Sequence, residues 1–330
     1  MTDFFIHGQK ALEVLGRDIQ MNTIRQGYIF EGSDGIGKKT AARMFAKMAL
    51  CTGEQKPCNK CQHCRMFEAG THPDFIVVDD SPVKVETVRR LNDELFIKPL
   101  ISDRKVFVIE HADDMNNAAQ NAFLKSFEEP PKYAVIILIA SSVQKLLPTI
   151  LSRGTKIRFS PFSEDEIASF VEKKYNITGA RSTFIARYSS GIVGRAIEIT
   201  EDEEFFKKRD EVIRAISLLA GDKVSILQVV NAFGATGRKY PDDIDLYFDV
   251  FTGFFRDVAV MKNGGKIVNS DYKDIIDSFA AKVKGRSARR VVEIAWLVKS
   301  RINSSMKYDL WITNMLINCW EEIHGTGNRS

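Results

Sequence analysis

The sequence predicts an α/β fold in which a domain built on a parallel sheet is followed by a small helical domain and a second, all-helical domain. Three observations lead to this prediction. Short apolar stretches alternate with helix-like stretches in the first part of the chain, and a glycine-rich turn joins the first such pair. The strand pattern then fades after about residue 160.

The first domain is predicted to contain four strands separated by helices. The predicted strands are 27–31, 75–79, 105–110 and 133–140, and the predicted helices are 38–50, 83–96 and 116–129. The fourth strand is almost continuously apolar, which is typical of a parallel strand covered by helices on both faces. Pro130 and Pro131 end the third helix. This alternation indicates a βαβ architecture.

Helices are predicted throughout the rest of the chain. Ser163 followed by acidic residues is typical of a helix start, because its hydroxyl can accept a backbone N–H and the acids favour the helix N-terminus. Gly221, Gly234 and the turn at 263–265 are predicted breaks. We therefore predict domains at 1–160, 161–205 and 206–330.

The composition is that of an ordinary globular protein, with 44% hydrophobic and 27% charged residues. The longest apolar run, Ala134 to Ala140, is far shorter than the roughly 18 residues of a membrane span. The N-terminal residues lack the pattern of an export signal. We therefore expect a cytoplasmic protein without a membrane segment.

The net charge of +4 is too small to indicate nucleic-acid binding by the chain as a whole. Positive charge is concentrated between Lys282 and Arg301, a stretch that contains seven Lys and Arg residues and one acidic residue, Glu293. We interpret it as a solvated helix face or an interface with an acidic partner, and a DNA contact is the less favoured alternative.

A phosphate-binding loop is predicted between the first strand and the first helix. Gly32, Gly35 and Gly37 allow backbone N–H groups to converge on a phosphate, and Lys38 would pair with the outer phosphates of a nucleotide. The alternative is that this segment keeps the form of such a loop but only packs against the sheet and binds no nucleotide.

The metal-binding half of this site departs from the usual pattern. Lys39 stands where a Ser or Thr hydroxyl normally holds Mg²⁺, and Thr40 supplies the hydroxyl one residue late, about 100° around the helix. Glu110 can still hold a hydrated metal, but His111 occupies the position of a carboxylate that orients water. ATP or ADP binding is therefore possible, and hydrolysis by this chain is not expected.

Four cysteines within fourteen residues, Cys51, Cys58, Cys61 and Cys64, predict a structural Zn²⁺ site with four sulfur ligands. Three alternatives are less favoured: redox chemistry of a C-x-x-C pair, an iron–sulfur cluster, and His63 in place of one thiolate. The fifth cysteine, Cys319, is predicted to be a small buried hydrophobic residue.

Several motifs, in this order along the chain, resemble those of the clamp-loader family of bacterial DNA polymerase III, an AAA+ type family. They are the phosphate loop, the cysteine module, Asn121–Pro131 (NAFLKSFEEPP), Pro148–Gly154 (PTILSRG), Gly194–Ala196 (GRA), and Ala288–Arg290 through Asn303 to Leu310. The stretch Pro148–Gly154 resembles the family motif S-R-C, with glycine in place of the cysteine. The resemblance covers essentially the whole chain and is strongest to the delta prime type.

The resemblance implies roles for individual residues. Arg153 would be an arginine finger that reaches the nucleotide of a neighbouring subunit, whereas an Arg that caps the preceding helix and pairs with an acid is the alternative. Arg195 corresponds to the second sensor and would contact phosphate or stabilise the lid domain. Ser141 and Ser142 lie where the first sensor would be. Residues 161–205 would be the lid, and 206–330 the collar that forms oligomers.

The resemblance also implies the partners. A delta prime-like subunit would complete a hetero-oligomeric ring with gamma/tau-like motor subunits and a delta-like subunit, and would help load the sliding clamp onto primer–template DNA. Two alternatives remain at this point. One is a gamma/tau-type motor ATPase, which the residues at 39, 110 and 111 disfavour. The other is a zinc-dependent nucleic-acid-binding module, which the mild charge disfavours.

Overall fold

The computed structural model of the chain describes residues 10–221, 229–230, 244–301 and 308–325. The chain divides into two compact units, of which the first comprises 1–166 with 190–195 and the second comprises 167–189 with 196–330. The predicted boundaries near residues 160 and 205 stay a prediction. Gly234, and residues 303–307 of the predicted collar pattern, lie outside the described residues.

A five-stranded sheet forms the centre of the first unit. Its strands are β1 (Gly27–Glu31), β2 (Phe75–Val78), β3 (Lys105–Ile109), β4 (Ala134–Ala140) and β5 (Thr155–Arg158). Their order across the sheet is β2-β3-β4-β1-β5, and every neighbouring pair is parallel. The four predicted strands and the parallel sheet are confirmed. Sequence reasoning missed β5, because it is a short edge strand in which only Ile157 is buried.

The helices of the first unit cover the sheet. They are α1 (Lys10–Gln20), α2 (Lys38–Leu50), α3 (Gln62–Glu68), α4 (Val85–Leu95), α5 (Asn117–Glu128) and α6 (Pro148–Leu151). The side chain of Asn116 begins α5 by accepting the N–H of Ala119 at 2.9 Å.

Successive residues of each strand point to opposite faces of the sheet, and each face is buried. Tyr28 and Phe30 pack on the side covered by α1 and α2. Ile29, Phe107 and Ile136 pack on the other side, with residues of α4 and α5. The near-continuous apolar character of β4, in which all seven residues are buried, follows from this two-sided cover.

The remaining helices form the second unit, apart from the first residues of two of them. They are α7 (Glu164–Tyr175), α8 (Ala180–Tyr188), α9 (Val193–Glu201), α10 (Glu203–Ser217), α11 (Ile244–Met261), α12 (Lys273–Lys282), α13 (Gly285–Arg301) and α14 (Tyr308–His324). Helix α7 begins with the predicted serine cap, because the N–H of Glu166 donates to the Ser163 hydroxyl while the Glu166 carboxylate accepts the N–H of Ser163.

The core of the second unit contains a buried arginine besides its apolar residues. Arg209, only 1% exposed, donates to both carboxylate oxygens of Asp271 at 2.6 and 2.8 Å and to Oδ1 of Asn269 at 2.8 Å. Its guanidinium also lies 3.5 Å from the centre of the Phe184 ring. These contacts compensate for the burial of the charge. Cys319 is fully buried in the same unit, as predicted.

The described residues contain no helix that is both long enough and apolar enough to cross a membrane.

Candidate functional site

The predicted phosphate loop, residues 32–38, lies at the carboxyl end of β1 and leads directly into α2. Gly37 precedes the helix with φ 102° and ψ 10°, a left-handed conformation that residues with a Cβ rarely adopt. No acidic residue occupies the first turn of α2, so that its N-terminus presents backbone N–H groups and two lysines. The loop and the helix therefore have the expected form of an anion-binding turn.

Lys38 folds back over this loop. Its side chain is 4% exposed, and its ammonium donates to the carbonyl oxygens of Gly32 and Ser33, the latter at 3.0 Å. The ammonium also lies 3.2 Å from a carboxylate oxygen of Asp34. The buried cation is thus held at the mouth of the loop by two carbonyls and one carboxylate.

Asp34 connects the loop to the turn after β4. The Ser141 hydroxyl donates to its carboxylate at 2.6 Å, and this hydrogen bond, together with the nearby Lys38 ammonium, holds the pKa of Asp34 below its usual range. The backbone N–H groups of Ser141 and Ser142 both donate to Asp113, at 3.2 and 3.0 Å. The serine predicted at the first sensor position therefore contacts the phosphate loop.

Lys39 contacts both residues that follow β3. Its ammonium lies 2.5 Å from Oε2 of Glu110 and 3.4 Å from Nε2 of His111. The Glu110 side chain is 12% exposed and that of Lys39 is 52% exposed. Sequence reasoning identified all three residues but not this ion pair, which places a positive charge next to the carboxylate that could otherwise hold a metal. Thr40, the next residue, is exposed.

The segment that carries Arg195 packs on the phosphate loop within the first unit. The Gly194 N–H donates to the Gly35 carbonyl at 2.8 Å, and a Cβ built on Gly194 would lie 2.9 Å from the Gly35 Cα atom. A Cβ built on Gly35 would in turn lie 2.9 Å from Ile192. Two glycines are therefore required where the backbones approach, and they bring the Arg195 backbone to the edge of the loop.

Arg153 lies just after α6, and its side chain has contacts within this chain. Its guanidinium is 3.0 Å from a carboxylate oxygen of Glu128 and donates to the Thr149 carbonyl at 3.0 Å and the Ser152 hydroxyl at 3.2 Å. Arg153 is 40% exposed and Glu128 is 37% exposed, so the ion pair is a weak surface one. These contacts match the helix-capping alternative, and they leave the guanidinium accessible from solvent.

The four clustered cysteines lie between α2 and α3, and their sulfur atoms are all within 4.8 Å of one another. The Sγ atoms of Cys51 and Cys61 are 3.9 Å apart. Sulfurs that surround one Zn²⁺ tetrahedrally at about 2.3 Å are about 3.8 Å from each other. The cluster can therefore hold a metal ion with little rearrangement.

Backbone N–H groups surround the sulfurs of this cluster. The N–H groups of Cys58, Cys61 and Cys64 donate to the Sγ atoms of Cys51, Cys58 and Cys61 at 3.3, 3.3 and 3.4 Å. Burial alone would raise the pKa of Cys61, but N–H donors from Cys64 and Thr52 lower it to about 5. Such donors stabilise thiolates, the protonation state that binds metal.

His63 has other partners and is not among the clustered ligand atoms found in the described residues. Its Nδ1 lies 3.0 Å from Nε2 of His72 and 3.1 Å from the Ser102 hydroxyl. The adjoining Asp74 carboxylate accepts the N–H groups of Leu100 and Ile101, at 2.6 and 3.0 Å. This polar contact between the cysteine module and the turn before β3 was missed, because its members are scattered along the sequence.

The predicted basic stretch, 282–301, covers the end of α12 and all of α13. Six of its seven basic residues are exposed, whereas Lys299 is half-buried and pairs with Asp245 and Asp249, both at 3.1 Å. The same helix exposes two large apolar side chains, Trp296 at 64% and Leu297 at 52%. The face is therefore mixed apolar and basic.

Comparison with known proteins identifies relatives. Residues 7–163 match the family described as DNA polymerase III, delta subunit. The delta prime subunit of DNA polymerase III from Bacillus subtilis is 27% identical over 302 residues, which cover 90% of this chain and 91% of that protein. The delta prime subunit from Pseudomonas aeruginosa is 39% identical over 162 residues, 46% of this chain and 48% of that protein.

Other similar proteins include a tau/gamma subunit and a solved structure. The tau/gamma subunit of DNA polymerase III from Haemophilus influenzae is 34% identical over 163 residues, 48% of this chain but only 24% of that longer protein. The crystal structure of a gamma subunit-related protein of DNA polymerase III from Thermotoga maritima aligns with 95% of this chain and 99% of its own, at 16% identity and a TM-score of 0.49.

Replacing Gly194 tests the packing of the Arg195 segment on the loop. Gly194→Ala should destabilise the first unit by about 1–3 kcal/mol, because its Cβ would meet the backbone of Gly35 rather than a flexible side chain. Gly16→Ala, in the interior of α1 with no atom within 4 Å of the added Cβ, should stabilise the chain by about 0.5–1 kcal/mol. Urea unfolding followed by circular dichroism measures both, and equal effects of the two substitutions would contradict the close approach.

Proposed function

We propose that the chain belongs to the clamp-loader family of bacterial DNA polymerase III and acts there as a delta prime-type subunit with little or no ATPase activity of its own. The observation that carries this choice is the ion pair between Lys39 and Glu110. In an ATPase of this type the Glu110 position supplies an acid for Mg²⁺, and a hydroxyl at position 39 completes the metal site. Here a lysine neutralises that acid.

The rival function, a gamma/tau-type motor, agrees with the similarity of about half of the chain to a tau/gamma subunit. It requires a metal and an oriented water at the site where Lys39 and His111 now lie. Purified chain should therefore hydrolyse no ATP above background, and robust turnover would favour the motor.

A catalytic role in trans is proposed for Arg153. Its guanidinium is exposed, its ion pair with Glu128 is a surface one, and exchanging that pair for a phosphate in a neighbouring subunit would cost little. An arginine at such a boundary stabilises the charge that develops on the transferred phosphoryl group. The chain would thus contribute to hydrolysis by its neighbour.

Arg153→Ala tests this role in a complex reconstituted with gamma/tau-type and delta-type subunits. We expect ATP turnover by the assembled complex to fall by about 10³-fold, the effect of losing an arginine finger, while the chain stays folded because only a surface ion pair is lost. Arg17→Ala, which removes an exposed arginine of α1, is the matched control and should leave turnover unchanged. Normal turnover with Arg153→Ala would exclude the finger.

The region from residue 206 onward, whose described residues lie mostly in helices α10 to α14, is proposed to be the collar that holds the ring together, and residues 161–205 the lid of an AAA+ type domain. The exposed Trp296 and Leu297 of α13 support an interface there, since aromatic residues surrounded by arginines are typical of the centres of protein interfaces. The partners would be gamma/tau-like and delta-like subunits. Through the ring, the chain would help place the sliding clamp on primer–template DNA, in the cytoplasm.

Trp296→Ala should weaken assembly with these partners by at least about tenfold, because large aromatic residues contribute most to interface affinity. The matched control is Met21→Ala, which removes an exposed apolar side chain of the first unit. Analytical ultracentrifugation of the mixed subunits measures the effect. Equal assembly of both variants would place the interface elsewhere.

The cysteine cluster is proposed to hold a structural Zn²⁺. All four ligands come from the chain, which leaves no open coordination position for catalysis. The module between α2 and α3 is also tied to α2 by Lys47, which is 5% exposed, donates to Asn59 at 2.6 Å and pairs with Glu68. Zinc would fix a loop that has few apolar residues of its own.

Elemental analysis should find about one zinc per chain. Cys61→Ser should abolish most of this zinc and lower the thermal stability of the first unit, because metal binding contributes to folding. Cys319→Ala, which removes the buried cysteine of the second unit, should retain full zinc content. Wild-type chain that is folded and free of metal would contradict the proposal.

A further inference from the structure

The metal position of the phosphate-loop site is occupied by a side chain of this protein. Phosphoryl-transfer sites of this type hold Mg²⁺ between a hydroxyl that follows the loop lysine and an acid at the end of a neighbouring strand. The corresponding residues here are Lys39 and Glu110. Their side chains meet at 2.5 Å, which is a direct ion pair.

Mg²⁺ does not fit these residues. The ion requires oxygen ligands at about 2.0–2.1 Å in octahedral geometry. Glu110 offers a carboxylate whose Oε2 is already paired with an ammonium, and His111 offers a nitrogen that also lies 3.4 Å from that ammonium. A divalent cation at Glu110 would have to displace Lys39 or lie against its positive charge.

The rest of the loop retains what a polyphosphate needs. Gly37 begins α2 in the left-handed conformation that opens its N-terminus, and Lys38 lies buried at the mouth of the loop. The anion that now pairs with Lys38 is Asp34, whose side chain is 77% exposed. A phosphate can replace this carboxylate at Lys38, because the Asp34 side chain would then keep its exposure to water and its hydrogen bond from the Ser141 hydroxyl.

We propose that Lys39 is a tethered cation that takes the place of Mg²⁺, so that the loop from Gly32 to Lys38 binds the polyphosphate of a nucleoside diphosphate or triphosphate without a divalent metal. Lys38 and Lys39 then supply the two positive charges nearest the phosphates. An ammonium neutralises phosphate charge but does not activate water as a metal does. The bound nucleotide is therefore held and not hydrolysed.

The test is the affinity of the purified full chain for ADP, measured by calorimetry with and without Mg²⁺. Metal should be removed by omission and treatment of buffers with a chelating resin, since a strong soluble chelator would also attack the cysteine site. For wild type we expect ADP dissociation constants that agree within about twofold in the two buffers.

Two substitutions at position 39 separate the role of the cation from that of the fold. Lys39→Ser restores the hydroxyl of a conventional metal site, so ADP affinity should become dependent on Mg²⁺, by about tenfold or more, the effect of one charge-assisted contact. Lys39→Arg keeps a cation and should behave like wild type. The control for loss of surface charge is Lys132→Ser. This substitution removes an exposed lysine just before the amino end of β4, whereas the phosphate loop lies at the carboxyl ends of the strands.

Two results would overturn the proposal: wild-type binding that needs Mg²⁺, or no ADP binding in either buffer. Neither depends on ring assembly, because the isolated chain is measured. Failure here is thus distinguishable from failure of the proposed clamp-loader role, which the reconstituted complex tests.

Discussion

Parallel pairing of the strands decides where the polar groups of the first unit lie. β4 pairs with β3 on one side and with β1 on the other, so the residues that follow these three strands emerge at the same edge of the sheet. Those residues are the phosphate loop after β1, Glu110 after β3 and Ser141 after β4. The hydrogen bond between Ser141 and Asp34 of the loop is possible because both residues lie at this edge.

At this edge the charges are balanced within the chain. Lys38 faces Asp34, and Lys39 faces Glu110, so each lysine has a carboxylate partner. A site that binds metal and triphosphate needs its acids for the metal and its lysine for the phosphate. The second lysine removes the requirement for the metal and leaves a loop suited to holding an anion. The proposed contribution of this chain to hydrolysis accordingly lies at Arg153, toward a neighbouring subunit.

The cysteine module, in contrast, is formed by residues that are close together in the sequence. Four cysteines within fourteen residues, a helix capped by Cys61, and N–H groups that donate to the sulfurs bring the thiols together without long-range packing. Lys47 then links the module to α2. The module and the phosphate loop lie at opposite ends of α2.

Hydrophobic periodicity and residue type were sufficient to predict the strands and helices whose buried residues recur at regular spacing. The four longer or more apolar strands, the serine cap at 163 and the burial of Cys319 could be read from periodicity and residue type. The edge strand β5 could not, because a four-residue strand with one buried side chain carries no periodic signal.

Residue type and spacing alone were enough to predict a phosphate loop with a lysine in place of the metal-binding hydroxyl, four thiols at metal-site spacing, and an ordered set of motifs that resembles the clamp-loader family. The packing of the folded chain was needed to show that Lys39 pairs with Glu110, that Ser141 contacts Asp34 across 107 residues of chain, and that Gly194 packs on Gly35. The physical reason is that motifs depend on neighbours along the chain, whereas these contacts depend on strand order and on which edge of the sheet each loop leaves.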